Sequence, residues 1–144
     1  MLGELEAKSG RLVVADLEAG VGTVSRLDGN HVDRLILVVE PYAKSLETGR
    51  RALKIAGDVG IQEVLVVASR VTEEQDVARV AEMLPGQPVL AVPDDPAVME
   101  ADRIGAAPID HSPDSPAMTA IAGVADALLE PATARDGERR GAQA

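Results

Sequence analysis

Arg11-Leu-Val-Val-Ala-Asp16-Leu-Glu-Ala-Gly20 decides how this chain is read. An apolar run over 12–15 ends in an aspartate, and a glycine follows four residues later. Asp16 is expected where a buried parallel strand leaves its sheet, a position from which a carboxylate handles Mg²⁺ or a metal-bound water. Three more apolar runs follow, at 35–39, 64–68 and 89–92. All four are continuous rather than alternating, the pattern of strands covered on both faces.

Helical patterns separate the runs. Leu46, Gly49, Leu53, Ala56 and Val59 trace one face of a helix over 45–59, with Ser45 as N-cap and Gly60 as stop. The next helix follows Thr72, with Val77, Val80, Ala81 and Leu84 inward and Glu73, Glu74 and Asp76 as its charged start. Asp95-Pro96 opens a short helix reaching about Ile104, with Pro96 at the first position. The last runs from Ser115-Pro116 to about Leu129, with Met118, Ile121, Ala122, Ala125 and Leu128 inward. The order β-α-β-α-β-α-α predicts an α/β fold: a three-layer parallel sheet of about four or five strands with helices on both faces. A single domain is expected over 1–131, with a short helix at 1–8 and a disordered tail at 132–144.

Composition narrows the chemistry. With 144 residues, roughly 68–70% of the unfolded surface can be buried. Tyr42 is the only aromatic, so the core rests on Val, Leu, Ile and Ala, and stacking on bases is poorly served. The formal charge of −10 argues against nucleic acid and anionic membranes. It leaves room for a local phosphate site, because backbone amides bind anions without basic side chains. The absence of cysteine excludes disulfides, thiolate metal sites and a cysteine nucleophile. No apolar run approaches the ~20 residues of a membrane span, and the start shows no signal-type region, so a cytoplasmic protein is expected.

Two readings compete for the glycines. Gly20-Val-Gly22-Thr-Val-Ser25 is an imperfect dinucleotide fingerprint, and Glu40 falls where a ribose-binding carboxylate would. Against it, Ser25 replaces the third glycine, and Asp28-Gly29-Asn30 interrupts the crossover helix. The other reading makes Asp16 the Mg²⁺-side aspartate of a phosphate site, with the Gly20 amide approaching a γ-phosphate. The plain alternative is that Asp16 caps a turn. His31 and His111 read as loop histidines.

Taken together, three segments resemble the MinD-type P-loop ATPases, closest to the accessory ATPases that mature nickel carbon monoxide dehydrogenase. They are Asp16-Leu-Glu-Ala-Gly20, Val32-Asp-Arg-Leu-Ile-Leu-Val-Val-Glu-Pro41 and Ser45-Leu-Glu-Thr48. Val92-Pro-Asp-Asp-Pro-Ala-Val-Met-Glu-Ala-Asp-Arg-Ile-Gly105 is similar to the family's nucleotide-base segment, and Pro113-Asp-Ser-Pro-Ala-Met118 matches as well. The resemblance spans about residues 10–130. It implies the fold of MinD and nitrogenase iron protein, which commonly work as ATP-dependent dimers. It also implies ATP and Mg²⁺ as cofactors, with Asp16 on the metal or its water and Gly20 in the second switch. Pro93, Asp94 and Asp95 would lie beside adenine, largely through backbone contacts.

Departures from the family shape the expected function. The family's first strand carries a glycine-rich, lysine-bearing P-loop, and these 144 residues hold none. Ser69 and Arg70 stand where the family has an Asn-Lys pair whose Asn reads adenine, and Ser69 lacks the paired donor and acceptor of an amide. The family's metal-holding cysteine pair is also missing. A truncated or degenerate ATP-binding protein is therefore expected, one that does not hydrolyse ATP alone. Its partners would be a second copy, a P-loop-bearing chain or a client metalloenzyme. A pseudo-ATPase interaction module and a small dinucleotide-binding oxidoreductase are the alternatives.

Overall fold

The computed structural model describes residues 13–17, 21–27 and 32–129. Its elements are α1 (Val21–Val24), β1 (Leu35–Val39), α2 (Ala43–Asp58), β2 (Val64–Val71), α3 (Glu74–Met83), β3 (Val89–Pro93), α4 (Pro96–Arg103), α5 (Pro108–His111) and α6 (Pro116–Leu129). They fall into two compact units, one ending at Asp94 and the other beginning at Asp95. The expected helix at 1–8, Gly20, His31 and the tail at 132–144 lie outside the described residues.

The first unit holds a parallel three-stranded sheet in the order β1-β2-β3. Leu35 sits opposite Val64 and Val39 opposite Ala68, while Val66 sits opposite Val89. The α/β class stands as expected, but the sheet has three described strands where four or five were predicted. The missing one is the run at 12–15. Val13, Val14 and Ala15 carry no strand assignment and are exposed. Leu12 lies outside the described residues, and a strand's backbone is satisfied only beside another strand, yet among the described residues no strand pairs with 13–15.

Helices α2 and α3 touch each other, with α2 on β1 and α3 across β2 and β3, so they cover the same face of the sheet. Side chains alternate along a strand. Leu35, Val39, Val64, Val66 and Ala68 consequently share one core with Leu46, Ala52, Ala56, Val80 and Leu84. Leu46, Leu84, Val66 and Val80 are its largest fully enclosed side chains. On the opposite face Leu65 and Val67 of the central strand are buried too, whereas Val38 of β1 is 61% exposed.

The start of α2 differs from expectation. Tyr42, in extended conformation and without a side-chain bond, is its N-cap, and Ser45 lies one turn inside. Ser45 Oγ accepts the Glu40 backbone N–H at 3.0 Å, tying the end of β1 to the first turn of α2. The predicted stop holds. Gly60 takes φ of +87°, a conformation costly for a side chain, and Ile61 N–H returns to Ala56 O at 2.8 Å. At α3 the acidic start is a capping box: Glu73 and Asp76 each accept the other's backbone N–H. Asp76 also accepts from the Thr72 backbone and hydroxyl at 3.0 and 2.9 Å, which depresses its pKa below the ordinary carboxylate value.

In the second unit Asp95 organises two helices. Its Oδ1 accepts the Ala97 N–H of α4 and its Oδ2 the Ala117 N–H of α6, both at 2.9 Å. These bonds, the Ala117 one foremost, hold its pKa below the usual carboxylate value. The expected inward stripe of α6 is corrected: only Ala117 is buried, while Ile121, Ala122 and Ala125 are exposed. A helix this rich in alanine has apolar residues around most of its circumference, so sequence alone marks no inner face.

Asp95 gives a pH prediction. A depressed folded-state pKa stabilises the fold above the unfolded carboxylate value, ~3.9, and that contribution is lost as pH falls through the folded value. Asp95→Asn keeps one acceptor and loses the other. The urea midpoint of the variant should fall at neutral pH, and its further decline on acidification below about pH 4 should be shallower than that of the parent.

Candidate functional site at the carboxyl edge of the sheet

Three parallel strands end at one edge of the first unit, and each end carries a charge. Glu40 follows β1, Arg70 lies at the close of β2, and Asp94 follows β3. In open α/β sheets ligands bind beyond the carboxyl ends of the strands. The local backbone explains how the charges meet. Ser69 pairs with Val92 and Val71 with Pro93, so Arg70 is the extra residue of a bulge. Its φ of 58° is the left-handed region, uncommon for a residue with a side chain. Beyond the bulge Asp94 N–H donates to Val71 O at 2.9 Å, which fixes the end of β3 beside Arg70.

Arg70 Nε stands 3.5 Å from Asp94 Oδ1, and Nη1 stands 3.7 Å from Glu40 Oε1. The hydrogen bond to Asp94 first, and then the charge of Glu40, raise the Arg70 pKa. The side chain is 55% exposed, so solvent screens these pairs and they contribute little to stability. Their consequence is electrostatic: two carboxylates face one guanidinium, leaving the edge net acidic. An anion approaching here must rely on backbone amides or displace a carboxylate from Arg70.

The residues expected at the site are distributed unevenly. Ser69, Arg70, Pro93 and Asp94 gather at the carboxyl edge. Asp95 is buried, with both carboxylate oxygens engaged in helix capping. Asp16 is exposed and outside any regular element, and among the described residues no hydrogen bond or ion pair joins it to Glu40, Arg70 or Asp94. Gly20 lies outside the described residues. The sequence reading overlooked Glu40 as the partner of Arg70. A signal was present: Glu40 directly follows the run at 35–39, while Arg70 and Asp94 each stand two residues beyond the runs at 64–68 and 89–92.

Among the described residues no three His, Asp or Glu side chains are grouped to hold a metal ion. Mg²⁺ requires less of a protein when phosphates complete its shell, for one or two carboxylates then suffice. Asp16, exposed and ahead of α1, is a carboxylate of that kind. Among the described residues no helix is long and apolar enough to cross a membrane.

No protein-family model matches the chain. It is 30% identical over 114 residues to the carbon monoxide dehydrogenase accessory protein CooC of Rhodospirillum rubrum, covering 78% of this chain and 43% of that protein. An uncharacterised ATP-binding protein of Methanocaldococcus jannaschii is 36% identical over 74 residues, covering 51% of this chain and 29% of the relative. Among solved structures, the cell division protein MinD of Aquifex aeolicus matches with a TM-score of 0.60 at 20% identity, covering 71% of this chain and 46% of the other. Its complex with MinC gives a TM-score of 0.61 at 19% identity, covering 73% and 46%. These likenesses establish the fold. The chain spans less than half the length of each of these proteins.

Proposed function

The chain is a homologue of the MinD-type P-loop ATPases, near the carbon monoxide dehydrogenase accessory protein, and from that premise we propose that it forms the base-end half of a nucleotide site. In this reading the carboxyl edge of the sheet borders adenine. Ser69 and Arg70 would border one side of the base and the backbone of Pro93 and Asp94, with Asp95 next in the chain, the other. Asp16 would hold Mg²⁺ or its water and Gly20 would approach the terminal phosphate. Mg²⁺, when bound with ATP, supplies charge neutralisation at the phosphates.

The observation that carries the reading is the bulge at Arg70. It lifts a cation out of the ladder at the one edge where parallel sheets bind ligands. We further propose that these 144 residues alone do not hydrolyse ATP. They contain no glycine-rich lysine loop to cradle the β- and γ-phosphates. Hydrolysis would need that loop from a longer form of the chain or from a partner, and a client metalloenzyme belongs to the same proposal.

Calorimetric titration with Mg·ATP and Mg·ADP, joined to a thermal-shift series, tests this. Nucleotide at ~100 times its dissociation constant should stabilise the fold by about 2.7 kcal/mol. Asp16→Ala should weaken Mg·ATP and leave metal-free adenosine unchanged. Absence of any stabilisation at millimolar nucleotide would overturn the reading. It would favour a pseudo-ATPase that keeps the fold for protein interaction, which the acidic balance around Arg70 supports because two carboxylates repel phosphate.

A further inference from the structure

Arg70 is held in a backbone conformation that its own contacts do not explain. A φ of 58° is costly for a residue with a side chain, and the contacts of the guanidinium are slack. Nε stands 3.5 Å from Asp94 Oδ1, and Nη1 stands 3.7 Å from Glu40 Oε1. A settled guanidinium–carboxylate pair is bidentate, at about 2.7–2.9 Å. Neither contact reaches that, and among the described residues no other side-chain hydrogen bond or ion pair engages Arg70 or Asp94. Donors on the one and acceptors on the other are left for a third group.

The two side chains come from neighbouring strands and stand in a fixed order. Arg70 belongs to the bulge at the close of β2, and Asp94 follows β3 with its N–H on Val71 O at 2.9 Å. Glu40 draws Nη1 toward β1 and is itself anchored through its N–H on Ser45 Oγ at 3.0 Å. The result is a donor and an acceptor side by side at the carboxyl edge. Adenine presents the complement, an acceptor ring nitrogen beside the donor amine at C6. Resting on the nucleotide reading above, we propose that Arg70 and Asp94 together read adenine, the guanidinium donating to the ring nitrogen and the carboxylate accepting from the amine. The base takes the place of the slack Arg70–Asp94 contact. Each side chain then exchanges one long contact for a charge-assisted hydrogen bond.

Charge and polarity select this ligand over two others. A phosphate here would meet Asp94 and Glu40 with like charge, whereas a neutral base carrying an amine does not. Guanine sets the O6 acceptor where adenine has its amine, so the same pose turns a lone pair on Asp94. Polar groups left unmatched in this way reject a ligand more strongly than a missing apolar contact does.

Calorimetric titration of the 144-residue chain with Mg·ATP, Mg·GTP and the Mg²⁺ complex of purine riboside triphosphate, which lacks the amine, tests the assignment. Mg·ATP should bind ~10-fold or more tightly than either of the others. Asp94→Ala removes an exposed carboxylate and keeps the backbone bond to Val71, and it should abolish the preference over the purine analogue. Arg70→Gly suits the left-handed backbone, so it should hold the melting temperature while weakening all three nucleotides. Equal binding of Mg·ATP and the purine analogue, or a preference that survives Asp94→Ala, overturns the assignment and leaves the nucleotide reading standing. So does an Arg70→Gly variant that binds as the parent does, or one that melts clearly lower, since Arg70 would then serve stability. Failure of all three nucleotides to bind at millimolar concentration overturns the nucleotide reading and this assignment with it.

Discussion

Replacing Leu84 with alanine should lower the unfolding free energy by about 2–5 kcal/mol, the largest loss expected from one core truncation. Leu84 is fully enclosed at the carboxyl end of α3, where its side chain meets α2 at Gly49. Truncation leaves a hole beneath both helices. The core cluster that holds Leu84 also holds Val39, Val80 and Leu46, which are β-branched or themselves packed, so little can move to fill it. A domain of this size holds roughly 5–15 kcal/mol of stability, and the loss is a large share of that. Urea denaturation followed by circular dichroism measures it. A change below about 1 kcal/mol would mean that Leu84 is not enclosed as described.

Gly49 is expected to reject any larger side chain. A β-carbon built there falls 2.7 Å from Val39 Cγ1 and 3.6 Å from Leu84 Cδ1. The first distance is well inside van der Waals contact, and Val39 is a buried, β-branched residue on the strand beneath. Two effects oppose each other in Gly49→Ala. Helix propensity gains about 1 kcal/mol in the interior of α2, whereas overpacking costs about 1–3 kcal/mol. The balance should be a modest destabilisation. Gly49→Val recovers less propensity and adds two γ-carbons to the clash, so it should cost about 3 kcal/mol or more. Urea midpoints in the order Gly, Ala, Val test the close approach, and a stabilised alanine variant would place α2 farther from β1 than the structure has it.

Much of the fold was legible because the signals were local and mutually consistent. The runs at 35–39, 64–68 and 89–92 are continuous and β-branched, and all three became parallel strands. Pro96 after Asp95, and Gly60 after an amphipathic stretch, mark helix ends by backbone chemistry alone, and both hold. The run at 12–15 has the same composition, but strand formation depends on a neighbour that composition does not reveal. The start of α2 was misplaced because Ser45 is a good cap in isolation, yet its hydroxyl is used by Glu40 N–H from the preceding strand. The candidate site was half legible. Ser69, Arg70, Pro93 and Asp94 were named, and they share one edge of the sheet. The left-handed backbone of Arg70 left no trace in the sequence, since neither glycine nor asparagine stands there. Nor could spacing reveal that Asp95 would spend its carboxylate on two helix ends.

We propose that nucleotide meets this chain at the carboxyl edge of its sheet, and amide chemical shifts of the ¹⁵N-labelled chain, followed through a titration with Mg·ATP, locate it. Saturable shifts are expected at Ser69, Arg70, Val71, Asp94 and Asp95, with smaller changes at Glu40 as Arg70 redistributes its contacts. Shifts that cluster away from these strand ends, or a spectrum unmoved at millimolar nucleotide, would contradict it.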